Sequence, residues 1–119
     1  PGGSPFTAEY GDPNNPKMFR ALREYSPLEN IHYDYKYPPT LIVVFDEDNR
    51  ASPIHGYKMV AKLLNFSKSR PIFLLDTKNV GHSGPADVSS VIELYSNIYA
   101  FVFEHLNMKP LELHDGETH

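Results

Sequence analysis

The run Thr40-Leu41-Ile42-Val43-Val44-Phe45 is apolar or β-branched at every position, and it switches at once to Asp46-Glu47-Asp48-Asn49-Arg50. A continuous run of this kind suits a strand buried on both faces, as in parallel sheets, rather than the alternating pattern of a half-exposed strand. A second such run, Pro71-Ile72-Phe73-Leu74-Leu75-Asp76-Thr77, ends in the loop Lys78-Asn79-Val80-Gly81-His82-Ser83-Gly84-Pro85. Between the two, Pro53 opens a helical pattern of Ile54, Tyr57, Val60 or Ala61, and Leu64, with Lys58, Lys62 and Lys68 off that face. The pattern predicts parallel strands at about 40–45 and 71–77, joined by a crossover helix at about 53–66 long enough to bring the second strand back alongside the first. The fold class is therefore α/β.

The flanks add two helices. Asn15 is placed to cap a helix whose first residue is Pro16, where the missing N–H costs nothing. Met18, Phe19 and Leu22 share one face of it, and Ser26-Pro27 stops it, so the expected span is about 16–24. The last helix is expected at about 86–106, with Val88, Val91, Ile92, Tyr95, Ile98, Tyr99, Val102 and Leu106 as its core stripe. Residues 1–5 read as a linker or appended scar, 6–16 as turns, and 107–119 as a polar tail with His114 and His119 in solvent. Tyr33, Tyr35 and Tyr37 alternate before Pro38-Pro39. They are expected to cover apolar surface with their hydroxyls in water, a strand edge being the alternative.

Composition narrows the function classes. With 119 residues the chain is one small domain at most, and 40% hydrophobic content with 8 Tyr and 7 Phe argues against disorder. It has no Cys, which removes disulfides and Cys-ligated metals and fits a reducing compartment; the expected location is the cytoplasm. A net charge of −4 gives no basic footprint for nucleic acid. No run reaches the ~18 apolar residues of a membrane span. Neither nucleic acid nor membrane is an expected partner.

If the two strands are parallel, both end at one edge of the sheet, where open α/β sheets collect their chemistry. That edge receives Asp46, Glu47, Asp48 and Arg50 from one loop and His82 from the other. Three readings are open. A carboxylate can accept a hydrogen bond from a His ring, fixing the tautomer and leaving the other nitrogen as a general base. Asp46, Glu47, Asp48, His55 and His82 can ligate a divalent cation, although Arg50 and Ala51 break the EF-hand spacing. Or the charges are a solvated strand end, the plain reading that the pattern alone favours. No nucleophile elbow is present: Gly2-Gly3-Ser4-Pro5-Phe6 and Gly81-His82-Ser83-Gly84-Pro85 both lack the final Gly of G-x-S-x-G. No phosphate-binding G-x-x-x-x-G-K-[ST] occurs, and no cofactor is expected.

Several blocks, in order, carry a family likeness: Ala8-Glu9-Tyr10-Gly11-Asp12-Pro13-Asn14-Asn15-Pro16, Tyr25-Ser26-Pro27-Leu28-Glu29-Asn30-Ile31, Tyr37-Pro38-Pro39-Thr40, Asp46-Glu47-Asp48-Asn49-Arg50 with Pro53-Ile54-His55, and Asp76-Thr77-Lys78 followed by Gly81-His82. Over residues 6–106 the chain resembles the prolyl oligopeptidases. The resemblance implies the C-terminal portion of an α/β-hydrolase catalytic domain. It implies that Asp48 is the acid and His82 the base of a serine-peptidase triad, and that Arg50 binds the substrate backbone. Family members cut short peptides after Pro through an acyl-enzyme on Ser, behind a β-propeller that admits only small substrates. Departures are visible. Glu47 stands where the family has His, Asn49 where it has Asp, and Ala51-Ser52 where it has Val-Val. The stretch joining the crossover helix to the second strand is shorter than usual. Asn79-Val80 occupies the place of one residue, and Ser83-Gly84-Pro85 replaces a loop richer in Gly and Lys.

The family's nucleophile segment, its propeller and the Tyr-based part of its oxyanion hole have no counterpart among these residues. The chain alone is expected to be inactive, its partners being short proline-containing peptides once a full catalytic domain is present. The rival reading is a non-enzymatic remnant acting by binding or assembly, with homo-oligomers forming through an exposed strand edge. The two are separated by one distance: Asp48 within hydrogen-bond reach of His82, or His82 turned outward by its longer loop.

Overall fold

The computed structural model describes residues 6–66 and 71–109. The expected linker at 1–5, Lys68, and the tail from residue 110, with His114 and His119, lie outside them. The described elements are α1 (Thr7–Tyr10), α2 (Pro16–Tyr25), β1 (Thr40–Phe45), α3 (Ile54–Phe66), β2 (Ile72–Thr77) and α4 (Val88–His105). Residues up to Pro85 form one compact unit and those from Ala86 another. None of the described helices is long and apolar enough to cross a membrane.

β1 and β2 pair in parallel, in register from Thr40↔Ile72 to Phe45↔Thr77, with α3 as the connection. The expected double burial of the strands is not what the structure shows. Val44 is 7% exposed and is the one fully buried residue of either strand, whereas Phe73 and Leu74 are exposed. Double burial needs a layer on each face of the sheet, and the described helix that packs on this two-strand sheet within the unit is α3.

The face of α3 also differs from expectation. Val60 is buried as expected, but Ile54 and Leu64 are exposed and Leu63, outside the expected face, is buried. Gly56 explains the rotation. It lies so close to β1 that an added Cβ would collide with Val44 Cγ1 and press on Ile42 Cγ2. A helix seated on its Gly56, Val60 and Leu63 line turns Leu64 outward, because successive residues are about 100° apart. Ile31, Val44, Val60, Leu63 and Val80 form the core of this unit.

Asn15 caps α2 as its position predicts: its Oδ1 accepts the N–H groups of Lys17 (3.0 Å) and Met18 (3.4 Å), with Pro16 at the first helical position. No residue of α2 is buried, so the Met18–Phe19–Leu22 face is less covered than expected. Asn30 closes the far end, donating from Nδ2 to the carbonyls of Arg23, Glu24 and Ser26. The segment then runs over α3, where Lys62 Nζ donates to the Leu28 carbonyl and Tyr33 stacks on Phe66 at 3.8 Å between centroids. The strand-edge alternative for the tyrosines fails, since 31–39 is loop and turn. α1 falls where only turns were expected; it is a single turn closed by Gly11 N–H on the Thr7 carbonyl.

α4 is capped at both ends. Asp87 accepts from Ser89 Oγ (2.6 Å) and Ser90 N–H (2.8 Å), which hold its carboxyl far below the usual carboxylate range. At the other end Asn107 takes a left-handed φ of 53°, and Met108 N–H reaches back to the Phe103 carbonyl, the Schellman pattern. The expected core stripe splits. Val91, Ile98 and Val102 are half-buried and Val88, Ile92, Tyr95, Tyr99 and Leu106 are exposed, while the buried residue, Leu94, lies outside the expected stripe. The helix carries apolar residues on two faces, and a periodicity reading merges them into one.

The close seat of α3 gives a stability test. Gly56→Ala should destabilise the chain by about 1–3 kcal/mol through overpacking against Val44, despite the better helix propensity of Ala. Denaturant unfolding followed by circular dichroism measures it; an unchanged or raised midpoint would contradict the contact.

Candidate active site

The register of the parallel pair places the loops after β1 and β2 side by side. The ladder continues past the strands, with Asp46 N–H donating to the Thr77 carbonyl (3.2 Å). The acid loop then turns on Asp48. Its N–H bonds the Phe45 carbonyl (3.1 Å), while its Oδ1 accepts the N–H groups of Arg50 (2.9 Å) and Ala51 (2.8 Å). This is the local side-chain-to-backbone turn that Asp favours. It aims the second carboxylate oxygen away from the loop.

That oxygen meets the other loop. His82 Nδ1 lies 2.8 Å from Asp48 Oδ2, with the Asp48 side chain 10% and the His82 side chain 45% exposed. The Ala51 N–H is the largest influence holding the Asp48 carboxyl below its usual 3.8; burial opposes it, and His82 and the Arg50 N–H lower it further. A carboxylate only accepts hydrogen bonds. The proton in the bond must therefore sit on His82 Nδ1, and in the neutral ring Nε2 is left as the basic nitrogen.

The His loop does not turn His82 outward. Asn79 turns the chain in the left-handed region, at φ 57°, which Asn tolerates better than most residues. Val80 then points inward and is 7% exposed. Its backbone is paired on both sides with the acid loop: its N–H donates to Asp46 Oδ1 (3.3 Å), and its carbonyl accepts from Glu47 N–H (3.1 Å). His82 follows in a turn closed by Gly84 N–H on the Gly81 carbonyl (3.0 Å), with Gly84 at φ 82°. Sequence reasoning missed Asn79 and Val80 as site-building residues, although Asn before a Gly-containing turn was a usable signal.

Arg50 is exposed, and it reaches Asp48 through its backbone N–H rather than its guanidinium. A cleft of about 320 Å³ borders the pair, lined by Phe45, Ala51, Ser52 and His55 together with Asp48 and His82. A larger hollow of about 620 Å³ lies over Phe6–Asn14, apart from these groups. The cation reading finds no geometry. No three His, Asp or Glu side chains converge to hold a metal among the described residues. Asp46 is engaged by Val80, and Asp76 is held by Lys78 Nζ (2.6 Å) and Tyr57 Oη (3.3 Å).

Similarity to known proteins follows the same elements. Residues 4–109 match the family model of the Prolyl oligopeptidase family. A prolyl oligopeptidase of Dendrothele bispora is 36% identical over 109 residues, covering 89% of this chain and 15% of that protein. An uncharacterized peptidase of Rickettsia prowazekii is 31% identical over 107 residues, covering 90% of this chain and 15% of that protein. Among solved structures, a chain from a structural and mechanistic study of two prolyl endopeptidases superposes with a TM-score of 0.81 at 32% identity, over 87% of this chain and 16% of that one. Oligopeptidase B of Leishmania major superposes at 0.78 with 26% identity, over 86% of this chain and 14% of that one. The chain spans about 15% of the length of the curated relatives it matches. Its partial α/β fold and the agreement over nearly its whole length lead to one assignment: the chain belongs to the prolyl oligopeptidase family.

Proposed function

We propose that these residues are the acid–base segment of a serine peptidase that hydrolyses short peptides after proline. The observation that carries the reading is the 2.8 Å contact of His82 Nδ1 with Asp48 Oδ2. It favours a peptidase segment over a non-enzymatic remnant, in which nothing would require that contact.

In this reading His82 Nε2 takes the proton from a Ser hydroxyl as that oxygen attacks the peptide carbonyl. It then returns the proton to the leaving amine, and the same exchange with water releases the acyl group. Asp48 holds the ring in the required tautomer and stabilises the imidazolium without itself being protonated. Arg50 binds a backbone carbonyl of the substrate. Its exposed position two residues beyond Asp48 supports that role. The nucleophilic Ser comes from residues other than these 119, which contain no G-x-S-x-G.

Two outcomes follow. The 119-residue chain alone should leave a Gly-Pro fluorogenic substrate uncleaved. Joined to a Ser-bearing catalytic segment it should cleave that substrate, and His82→Ala should then lower kcat by about 10⁴-fold or more. Cleavage by the 119 residues alone that disappears in His82→Ala would overturn the division of labour.

The second outcome concerns pH. A carboxyl with a depressed folded value stabilises the fold fully above its unfolded value and loses that contribution as pH falls through the folded one. Asp48 is such a group. Thermal midpoints recorded from about pH 6 down to about pH 2 should fall less steeply in Asp48→Asn than in the unsubstituted chain. Equal slopes would mean that the Asp48 bonds do not form in solution.

A further inference from the structure

Resting on the peptidase reading, we propose that Asp46 is a positioning residue for His82, acting through the Val80 backbone. Asp46 touches neither member of the acid–base pair. It ends the β1 ladder with its N–H on the Thr77 carbonyl, and its Oδ1 receives the Val80 N–H across the gap between the loops. The Glu47 N–H takes the Val80 carbonyl from the same side. Val80 is therefore gripped at both of its backbone polar groups, two residues before His82.

The grip answers a mechanical need. Asn79 in the left-handed region redirects the chain, and the segment from Asn79 to the Gly81–Gly84 turn has no ladder of its own. The Val80 bonds and the buried Val80 side chain tie that segment to the acid loop before His82 is reached. An ionised acceptor makes a stronger bond to a backbone N–H than a neutral one. The negative charge at Asp46 is not isolated. Lys78 lies near enough for Asp46 to favour its charged form, behind the dominant influence of its direct bond to Asp76. Without Asp46, Val80 N–H would be left unpaired in a buried position, which a loop relieves by turning outward. His82 would turn with it, away from Asp48 Oδ2.

The test reads the His82 ring in the full 119-residue chain by ¹⁵N-resolved NMR, with amide exchange at Val80 as the local measure and the β1–β2 amides as the check on folding. The unsubstituted chain should show a downfield Nδ1–H resonance from His82 that disappears in Asp48→Ala. Asp46→Ala should lose the same resonance, with Val80 N–H exchanging roughly five- to tenfold faster. Asp46→Asn, which keeps an oxygen acceptor, should retain the resonance. Should Asp46→Ala fail to fold, replacing the Val80 N–H by an ester oxygen deletes the donor alone and should also abolish the signal. A full-strength His82 resonance in either folded variant lacking the bond overturns the positioning role while leaving the Asp48–His82 pair standing. Loss in Asp46→Asn as in Asp46→Ala also overturns it, since the hydrogen bond would then not be the agent. Absence of the resonance from the unsubstituted chain overturns the pair itself, and this inference with it.

Discussion

Phe45 of β1 lies in register with Thr77 of β2, and the Asp46 N–H carries the ladder one step further onto the Thr77 carbonyl. Every functional distance in the chain descends from that alignment. In a parallel pair both strands release their chains at the same edge, so the acid loop and the His loop start as neighbours. A slip of one residue would move the loop origins by about 3.3 Å and exchange the faces of one strand. Asp48 and His82 are 34 residues apart in sequence and meet at 2.8 Å. The register of six residues against six makes that possible. The seating of α3 protects it: a helix that carried a Cβ at residue 56 would have to rise off β1.

The pair itself is asymmetric in a way that suits acid–base work. Asp48 is the fixed partner. Two backbone N–H groups hold one of its oxygens, its own N–H is tied to Phe45, and its side chain is largely covered. His82 is the more accessible partner, on a short turn with nearly half of its side chain in solvent. The carboxylate therefore stays ionised and stationary while the ring keeps one nitrogen open to a reacting group. Reversing the two environments would desolvate the base and free the acid. That arrangement favours a buried neutral imidazole over one that cycles its charge.

The elements that could be read from the sequence share one property: their signal is local. Asn15-Pro16 announces a helix start, Ser26-Pro27 its end, and two apolar runs separated by a helix announce a parallel pair. These hold within one or two residues. Burial is another matter, because it depends on what lies opposite. The periodicity of α3 names a face of Ile54, Tyr57, Val60 or Ala61, and Leu64; Val60 is buried as that face requires, but the close seat at Gly56 buries Leu63 in place of Leu64. The apolar residues of α4 satisfy two stripes at once, and only Leu94 of the helix is buried. Charge after an apolar run brings Asp46, Glu47, Asp48, Arg50 and His82 to one sheet edge, but it is the family resemblance that singles out Asp48, Arg50 and His82 among them. Asn79 left only a faint signal, an Asn ahead of a Gly-containing turn, and Val80 left none, because its contribution is two backbone bonds, to which residue type is a weak guide.

The His loop shows how a residue such as Val80 is accommodated between a strand and the turn that carries His82. Such a residue has two cheap destinations. It can bulge into solvent and carry the following residues with it, or it can fold inward and find partners for its N–H and carbonyl. The second needs a residue that accepts a positive φ, an apolar side chain to bury, and acceptor and donor groups already in place across the gap. Asn79 supplies the first, Val80 the second, and the start of the acid loop, Asp46 and Glu47, the third. The residues that hold this stretch in place are thus divided between two loops. The acid loop does more than present Asp48: its first two residues decide where the neighbouring loop can put His82.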